Sequence, residues 1–448
     1  MTHIVISNIA TDAPSPASTH QDTPPGELLV RIVRTEREFD SLHHAWDDLL
    51  GESDARIFQT YEWLHTWWTI LGAPDPRRRL FLLMIYQDEI LVGIAPFFCE
   101  TVVVLGPLRY RRLLFIGKDT SDYLDLIARR GKEEFVVDRV ARYLADHRTE
   151  FNTLQLEDIR DGSPTHLRLH ETLLRRGFAG ERFLSEYCPR TYLQNTWEET
   201  AATFPKSHRN RLLKRMKVVT EEMGIAFEHV TDTASIEGAM DEFITMHQAR
   251  WNVIGHQGVF AQSATDRFHR EVAPHLHRRG WLYLGFLRSK GKRVVGDYGL
   301  IFRDECSTYL GGAIGDDEIM RQSPGIVLLM TIMKHCHTLG IRVYDFLRGT
   351  ERYKYNLAAV DVPNWSLLMY TTPGRLYPIL HRAGLLRDAL VRRSIHEWSC
   401  LVTQAKKHGV VSRGFASYIL TRVQTITADA VQKAREPEKT LIIGREQK

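Results

Sequence analysis

Hydrophobic positions in this chain change period in an order that occurs twice. Leu28 to Val33 is a short extended apolar run, and Phe39 to Leu50 and Tyr61 to Leu71 carry apolar residues at helical spacing. Leu80 to Tyr86 and Ile90 to Phe98 are two more extended runs that turn at Gln87-Asp88-Glu89. The pattern predicts a strand, two helices and a hairpin. The second half repeats it with a strand at Ile225 to Val230, helices at Ile236 to Trp251 and Arg267 to Arg279, and a hairpin of Trp281 to Arg288 and Arg293 to Phe302. The second hairpin strands align locally, Leu91-Val92-Gly93-Ile94 against Val294-Val295-Gly296-Asp297. The repeated order predicts an α/β (α+β) fold of two tandem domains, 28–195 and 196–375, each a mixed sheet flanked by helices. Residues 1–27, rich in Ser, Thr, Asp and Pro, read as a disordered tail, and 376–448 as a helical C-terminal extension.

Only the second half goes on to a further series. Glu305 to Ile314 reads as a buried strand, Gly315 to Gln322 as a polar loop, and Ile326 to Leu339 as an apolar-striped helix closed by Gly340. Ser323 and Pro324 suit the N-cap and first helical positions, and Gly325 lets a ligand approach the backbone. Free amides at such a helix start, helped by the helix dipole, suit a pyrophosphate, although an ordinary capped helix would look the same.

An apolar strand then runs into packed ionisable groups, Ile341-Arg-Val-Tyr-Asp-Phe-Leu-Arg-Gly-Thr-Glu-Arg-Tyr-Lys-Tyr355. Asp345, Arg348, Glu351, Arg352 and Lys354 among aromatic rings fit either a catalytic strand end with shifted pKa values or a structural ion-pair cluster. His247, Arg250 and Trp251, at i, i+3 and i+4, share one helix face. Ser121 to Asp125 reads as strand-like, with Tyr123 and Asp125 on one side and Asp122 on the other. Between the halves, Lys206 to Met223 sets Leu212, Met216, Val219 and Met223 as a stripe, with Arg211, Lys214, Arg215 and Lys217 mostly outside it. This is either a solvated basic face or a landing site for an anionic substrate.

These segments carry a resemblance. Gln322-x-x-Gly325 between strand and helix resembles a reduced form of the Gln/Arg-x-x-Gly-x-Gly/Ala acyl-CoA loop of GCN5-related acetyltransferases (GNATs), with Val327 in place of the last small residue. Asp345-Phe-Leu-Arg-Gly349 with Tyr353-Lys-Tyr355 resembles the signature of bacterial acetyltransferases of the cellulose and exopolysaccharide biosynthesis type (BioF2-like), relatives of the Fem-type peptidoglycan transferases. Phe58-Gln-Thr-Tyr-Glu-Trp63, Ser121-Asp-Tyr-Leu-Asp125 and His247-x-x-Arg250-Trp251 are further matches. The resemblance spans residues 28 to 375 and implies two GNAT-like domains, the second using acetyl-CoA or a longer acyl-CoA as co-substrate.

It further implies a donor held by Arg321, Gln322, Ser323 and Gly325, with its thioester near Gly311, Gly312 and Ala313. Asp345, or second Glu351 or His247, would act as base, and Tyr353 would return a proton to the leaving thiolate. His247, Arg250, Trp251, Arg348 and Lys354, with Tyr123 and Asp125 from the first half across an interdomain cleft, would hold an acceptor: a small molecule, lipid or glycan bearing an amine or hydroxyl. The competing readings are a Fem-type aminoacyl transferase using charged transfer RNA and a non-catalytic adaptor of polysaccharide assembly.

Composition narrows the class. The 448 residues are 43% hydrophobic and 25% charged, ordinary for a globular enzyme. The net charge of +4 is too mild to call for a nucleic-acid partner. Cys99, Cys188, Cys306, Cys336 and Cys400 are far apart, which fits a reduced cytoplasm rather than a disulfide frame. His335-Cys336-His337 is no metal motif, because adjacent helical residues point in different directions, and no metal is expected. There is no apolar run of the ~20 residues that span a bilayer, so membrane contact would be peripheral. The basic, apolar-striped segment after Tyr377 would make it, at the inner face of the membrane, or would instead lie on a partner or on the protein's own body.

Overall fold

The computed structural model describes residues 28–387 apart from 254–256, 316, 373 and 375. The tail expected at 1–27 and the extension beyond 387 lie outside the described residues; residues 376–387 are helical. The strands are β1 (Leu28–Val33), β2 (Arg78–Gln87), β3 (Ile90–Leu105), β4 (Leu108–Phe115), β5 (Ile127–Ala128), β6 (Thr153–Arg160), β7 (Ala179–Tyr187), β8 (Arg190–Tyr192), β9 (Ala226–His229), β10 (Leu282–Ser289), β11 (Lys292–Phe302), β12 (Glu305–Ala313), β13 (Val343–Asp345) and β14 (Pro363–Tyr370). They form two mixed sheets. The first has the order β1-β2-β3-β4-β6-β14-β7, with β5 beside β3, and the second β8-β13-β12-β11-β10-β9.

The repeated pattern therefore builds a repeated fold, but the sheets do not divide the chain at 195/196. Strand β14, grouped with the second half by its place in the sequence, lies between β6 and β7 and buries Leu367 and Met369 in the first core. Strand β8, grouped with the first half, pairs with β13 in the second sheet. Alternation fixes which face of a strand is buried and leaves open which sheet receives it.

Helices α1 (Tyr61–Trp67) of the first half and α2 (Lys206–Lys217), α3 (Ile236–Val253), α4 (Ser263–Arg278) and α5 (Pro324–Thr338) of the second place the chemistry. One apolar core spans both halves: Trp63 of α1 meets Phe268 of α4 edge to face at 5.1 Å. A second core fills the space under α5 with Tyr344, Val295 and Met333. The polar loop expected at Gly315 to Gln322 contains a short helix, Asp317–Arg321, in which Ile319 is buried. Ser121 to Asp125 is irregular rather than a strand, so strand alternation does not set its side chains. Among the described residues no helix is long and apolar enough to cross a membrane.

Candidate functional site

Strands β12 and β13 run parallel but pair only over Glu305–Ser307 with Val343–Asp345. Beyond that β12 continues to Ala313 with β11 alone as its partner, so the two strands part and leave a wedge at the heart of the sheet. At the mouth of the wedge the β11–β12 register slips: Gly299 pairs Thr308 and Tyr298 pairs Leu310, which leaves Tyr309 as an extra residue. Such a bulge releases backbone groups from the ladder.

Helix α5 starts beside this wedge. Ser323 holds the N-cap position in the left-handed region (φ 53), and Pro324 takes the first turn. The Ser323 side chain does not cap its own helix; its hydroxyl accepts a 3.2 Å hydrogen bond from Arg215 Nη1 of the basic helix α2. A Cβ on Gly325 would meet no atom within 4 Å, so the backbone there faces open space. The expected donor residues thus flank one helix start, Arg321 at the end of the preceding short helix, and Gly311, Gly312 and Ala313 lie on β12 along the wedge.

The charged strand end is tied down tightly. Asp345 has no exposed surface. Its carboxylate pairs with Arg190 Nε at 2.8 Å and accepts from Tyr123 Oη at 2.7 Å and from the Leu347 amide at 2.7 Å. Burial pushes its carboxyl up to about 7 against the pull of Arg190, with Glu305 adding to the rise. The sealed carboxylate with its raised pKa fits both sequence readings, a shifted catalytic group and a structural ion pair. Arg348 reaches into the first half, bonding the Asp122 carboxylate and the Ser121 carbonyl, with Asp158 at 3.4 Å. Lys354 is buried and donates to the carbonyls of Leu347 (3.2 Å), Arg348 (2.8 Å) and Gly349 (2.9 Å), and pairs with the exposed Glu351 at 2.8 Å. Arg348 and Lys354 therefore hold the loop after β13.

His247 and Arg250 meet at the wedge as their spacing predicts. His247 Nδ1 lies 3.0 Å from the Gly311 carbonyl and Arg250 Nη1 3.3 Å from the same oxygen. Burial pushes the imidazole down to about 4, so it stays neutral and donates through Nδ1, while Nε2 is buried without a hydrogen-bond partner among the described residues. A Cβ on Gly312 would collide with the His247 amide at 2.7 Å, so this glycine lets α3 close on the sheet. The Trp251 ring sits 6.0 Å from that of His247. Tyr123 and Asp125 line one cavity of about 370 Å³, but its walls belong to the first half rather than to a cleft between the halves. His335 contacts Tyr283, His337 contacts Thr200, and Cys336 is buried, so the three do not converge.

Residues 206–355 match the family model of the acetyltransferase (GNAT) domain. That span holds α2 to α5, the wedge and the charged strand end. No curated protein sequence matches the chain. Among solved structures, FemX is similar at 10% identity over 76% of this chain and 96% of its own, with a TM-score of 0.52. The L-PGS of Bacillus licheniformis covers 77% of this chain and 95% of its own (13% identity, TM-score 0.45). A tandem GNAT protein from the clavulanic acid biosynthesis pathway covers 78% and 100% (12% identity, TM-score 0.40). At such identities the likeness to FemX speaks for the fold.

The matched span holds one group that the sequence pattern did not single out. Asp297 on β11 stands opposite Gly311 in the register, and both its oxygens accept from the Thr308 hydroxyl, at 2.6 and 2.7 Å. Burial pushes its carboxyl up to about 7. Asp297 shares a sheet face with Val295 of the core under α5, and its charge acts on half-buried Tyr353. Burial, with Glu351 and Asp297 nearby, raises the Tyr353 phenol. The signal available in the sequence was a carboxylate inside the apolar run Val294–Leu300, where an unpaired charge is costly.

Proposed function

We propose that the chain transfers an acyl group from acetyl-CoA or a longer acyl-CoA to an amine or hydroxyl of a sugar, lipid or envelope-polysaccharide precursor. The observation that carries this reading is the wedge between β12 and β13, opening at the Tyr309 bulge, with α5 following β12 in the chain. In this reading the start of α5 holds the donor's pyrophosphate through the Gly325 amide, since Pro324 has no N–H and the Gln322 and Ser323 amides already donate to the Ile319 and Met320 carbonyls, with Arg215 adding charge. A backbone N–H near the bulge stabilises the oxyanion that forms as the acceptor attacks the thioester carbon. Asp297 takes the acceptor's proton, and Tyr353, kept protonated by its raised pKa, gives one to the thiolate as the C–S bond breaks. His247 and Arg250 fix the Gly311 carbonyl and hold β12 in place. Peripheral membrane contact, which would suit a lipid acceptor, is supported by exposed Leu376 and Ile379 on the helical segment that also carries Arg382.

A second reading, aminoacyl transfer from charged transfer RNA, has one observation in its favour. Helix α2 carries Lys206, Arg209, Arg211, Lys214, Arg215 and Lys217 without an acidic residue and ends at the donor loop. Calorimetry with CoA separates the two. The parent protein binds CoA, and Gly325→Trp, which points into open space, keeps its melting temperature while losing at least ~10-fold in affinity. Undiminished CoA binding by Gly325→Trp refutes the donor loop; no CoA binding by the parent, with aminoacyl-tRNA bound instead, favours the second reading.

A further inference from the structure

The cavity of about 370 Å³ in the first half contains charge that the transfer reaction does not use. Arg160 ends β6 and points its side chain at this cavity, half-buried. Among the described residues its guanidinium makes no ion pair and no side-chain hydrogen bond. Burial lowers its pKa, and so do Arg56 and Arg190 nearby, while Asp125 and Glu305 pull the other way. Arg56, also on the wall, reaches Glu305 at 3.3 Å through Nη1, but its Nε is buried without a partner.

Opposite stands Asp125, buried, which accepts from the Leu126 amide at 2.8 Å and has its carboxyl pushed up to about 6 by burial. Gln59, beside it, donates to the Asp125 carbonyl at 3.3 Å. The Tyr123 ring lines the same space. Proteins seldom leave a guanidinium partly desolvated and unpaired, because the cost is recovered only when an anion arrives. A planar fork in a cavity is suited to two parallel hydrogen bonds to a carboxylate or phosphate.

We propose that this cavity binds a small molecule carrying a carboxylate or phosphate, held by Arg160 and Arg56, with its neutral hydrogen-bonding end on Asp125. The walls come from the first half, so the proposal stands apart from the donor loop and survives a failure of the CoA reading. Tyr123 couples the two regions, since its ring lines the cavity and its hydroxyl bonds Asp345 at the strand end of the GNAT domain.

Titration calorimetry of the full chain at constant ionic strength, with inorganic phosphate in one series and malonate in the other, tests the idea. The parent binds one of the two more tightly than chloride, and which one distinguishes a phosphorylated from a carboxylated ligand. Arg160→Gln weakens that binding at least ~10-fold. The same variant without ligand melts at or above the parent's temperature, because it removes an uncompensated charge. Three results overturn the proposal: neither anion binds the parent, binding is unchanged in Arg160→Gln, or Arg160→Gln melts well below the parent or does not fold, which makes the arginine structural.

Discussion

Arg190→Met tests whether the charged strand end is a structural joint. Arg190 is 7% exposed and stands between two carboxylates, Asp345 at 2.8 Å and Glu305 at 3.5 Å, and its guanidinium lies 4.8 Å over the Tyr123 ring. Methionine fills much of the volume but leaves Asp345 buried without a cation, and Arg56 is then the remaining partner of Glu305. Removing one member of a buried pair costs about 3–5 kcal/mol. At roughly 2–4 °C per kcal/mol, the melting temperature falls by roughly 6–20 °C at pH 7.

The pH dependence has a definite sign. Burial already raises the Asp345 carboxyl to about 7, so its contribution to stability is present at acid pH and is lost as pH rises through that value. Without Arg190 the carboxyl rises further, and the gap between parent and variant widens from pH 5 to pH 8. Thermal unfolding by circular dichroism at both pH values measures this, and a melting point within about 1 °C of the parent, or a gap independent of pH, refutes the joint. The double variant Arg190→Met/Asp345→Asn removes both charges, keeps an acceptor for the Leu347 amide and turns its new amide nitrogen to the Tyr123 hydroxyl, which can accept. It regains most of the lost stability, and its turnover stays within about tenfold of the parent if Asp297 is the base; a loss of 10²-fold or more returns that role to Asp345.

Two further outcomes follow from the same geometry. Asp297→Asn lowers turnover by roughly 10²–10⁴ with CoA affinity near the parent's. It also raises stability at pH 8 by up to on the order of 4 kcal/mol, because a carboxyl raised to about 7 costs the fold stability once ionised; full activity, or a drop in stability at pH 8, counts against it. Lys354→Met frees three carbonyls of a turn whose Leu347 and Gly349 have φ of 54 and 105, and destabilises the loop by about 2–4 kcal/mol, read as faster amide exchange at Phe346 and Gly349; unchanged exchange shows that the turn holds itself.

Local order was legible in the sequence. The hairpins β2–β3 and β10–β11 and the start of α5 at Ser323-Pro324 fall where hydrophobic period and capping chemistry put them. What the sequence concealed are pairings across long separations. Whether Asp345 is a catalytic group or half of an ion pair could not be read locally, because its partners, Arg190 and Tyr123, are far away in the chain, the latter by 222 residues. Asp297 looks like one more position of a hairpin strand, and only its register against Gly311 and Thr308 brings it to the wedge. Ser323 was legible as a cap position, but its left-handed backbone and its bond to Arg215 depend on α2, which no local pattern places beside it.

The exchange of strands gives the first half a definite task. The chain leaves the first sheet at Tyr187 and enters the second at Arg190; it later leaves the short helix Arg352–Asn356 and re-enters the first sheet at Pro363. Both crossings are linked by pairing, Arg190 with Val360 and the Cys188 amide with the Val362 carbonyl. Asp345 lies at this junction, and Arg348, three residues on, binds Asp122 and Ser121 of the first half. The place where β13 turns away from β12 is therefore anchored from outside residues 206–355, by groups of 121–123 and by Arg190. Here side chains of the first half and Arg190 hold the end of β13 where the ladder with β12 stops. The first half thus bears directly on the strand end beside the wedge, and a ligand that shifts Tyr123 would act on the wedge through Asp345.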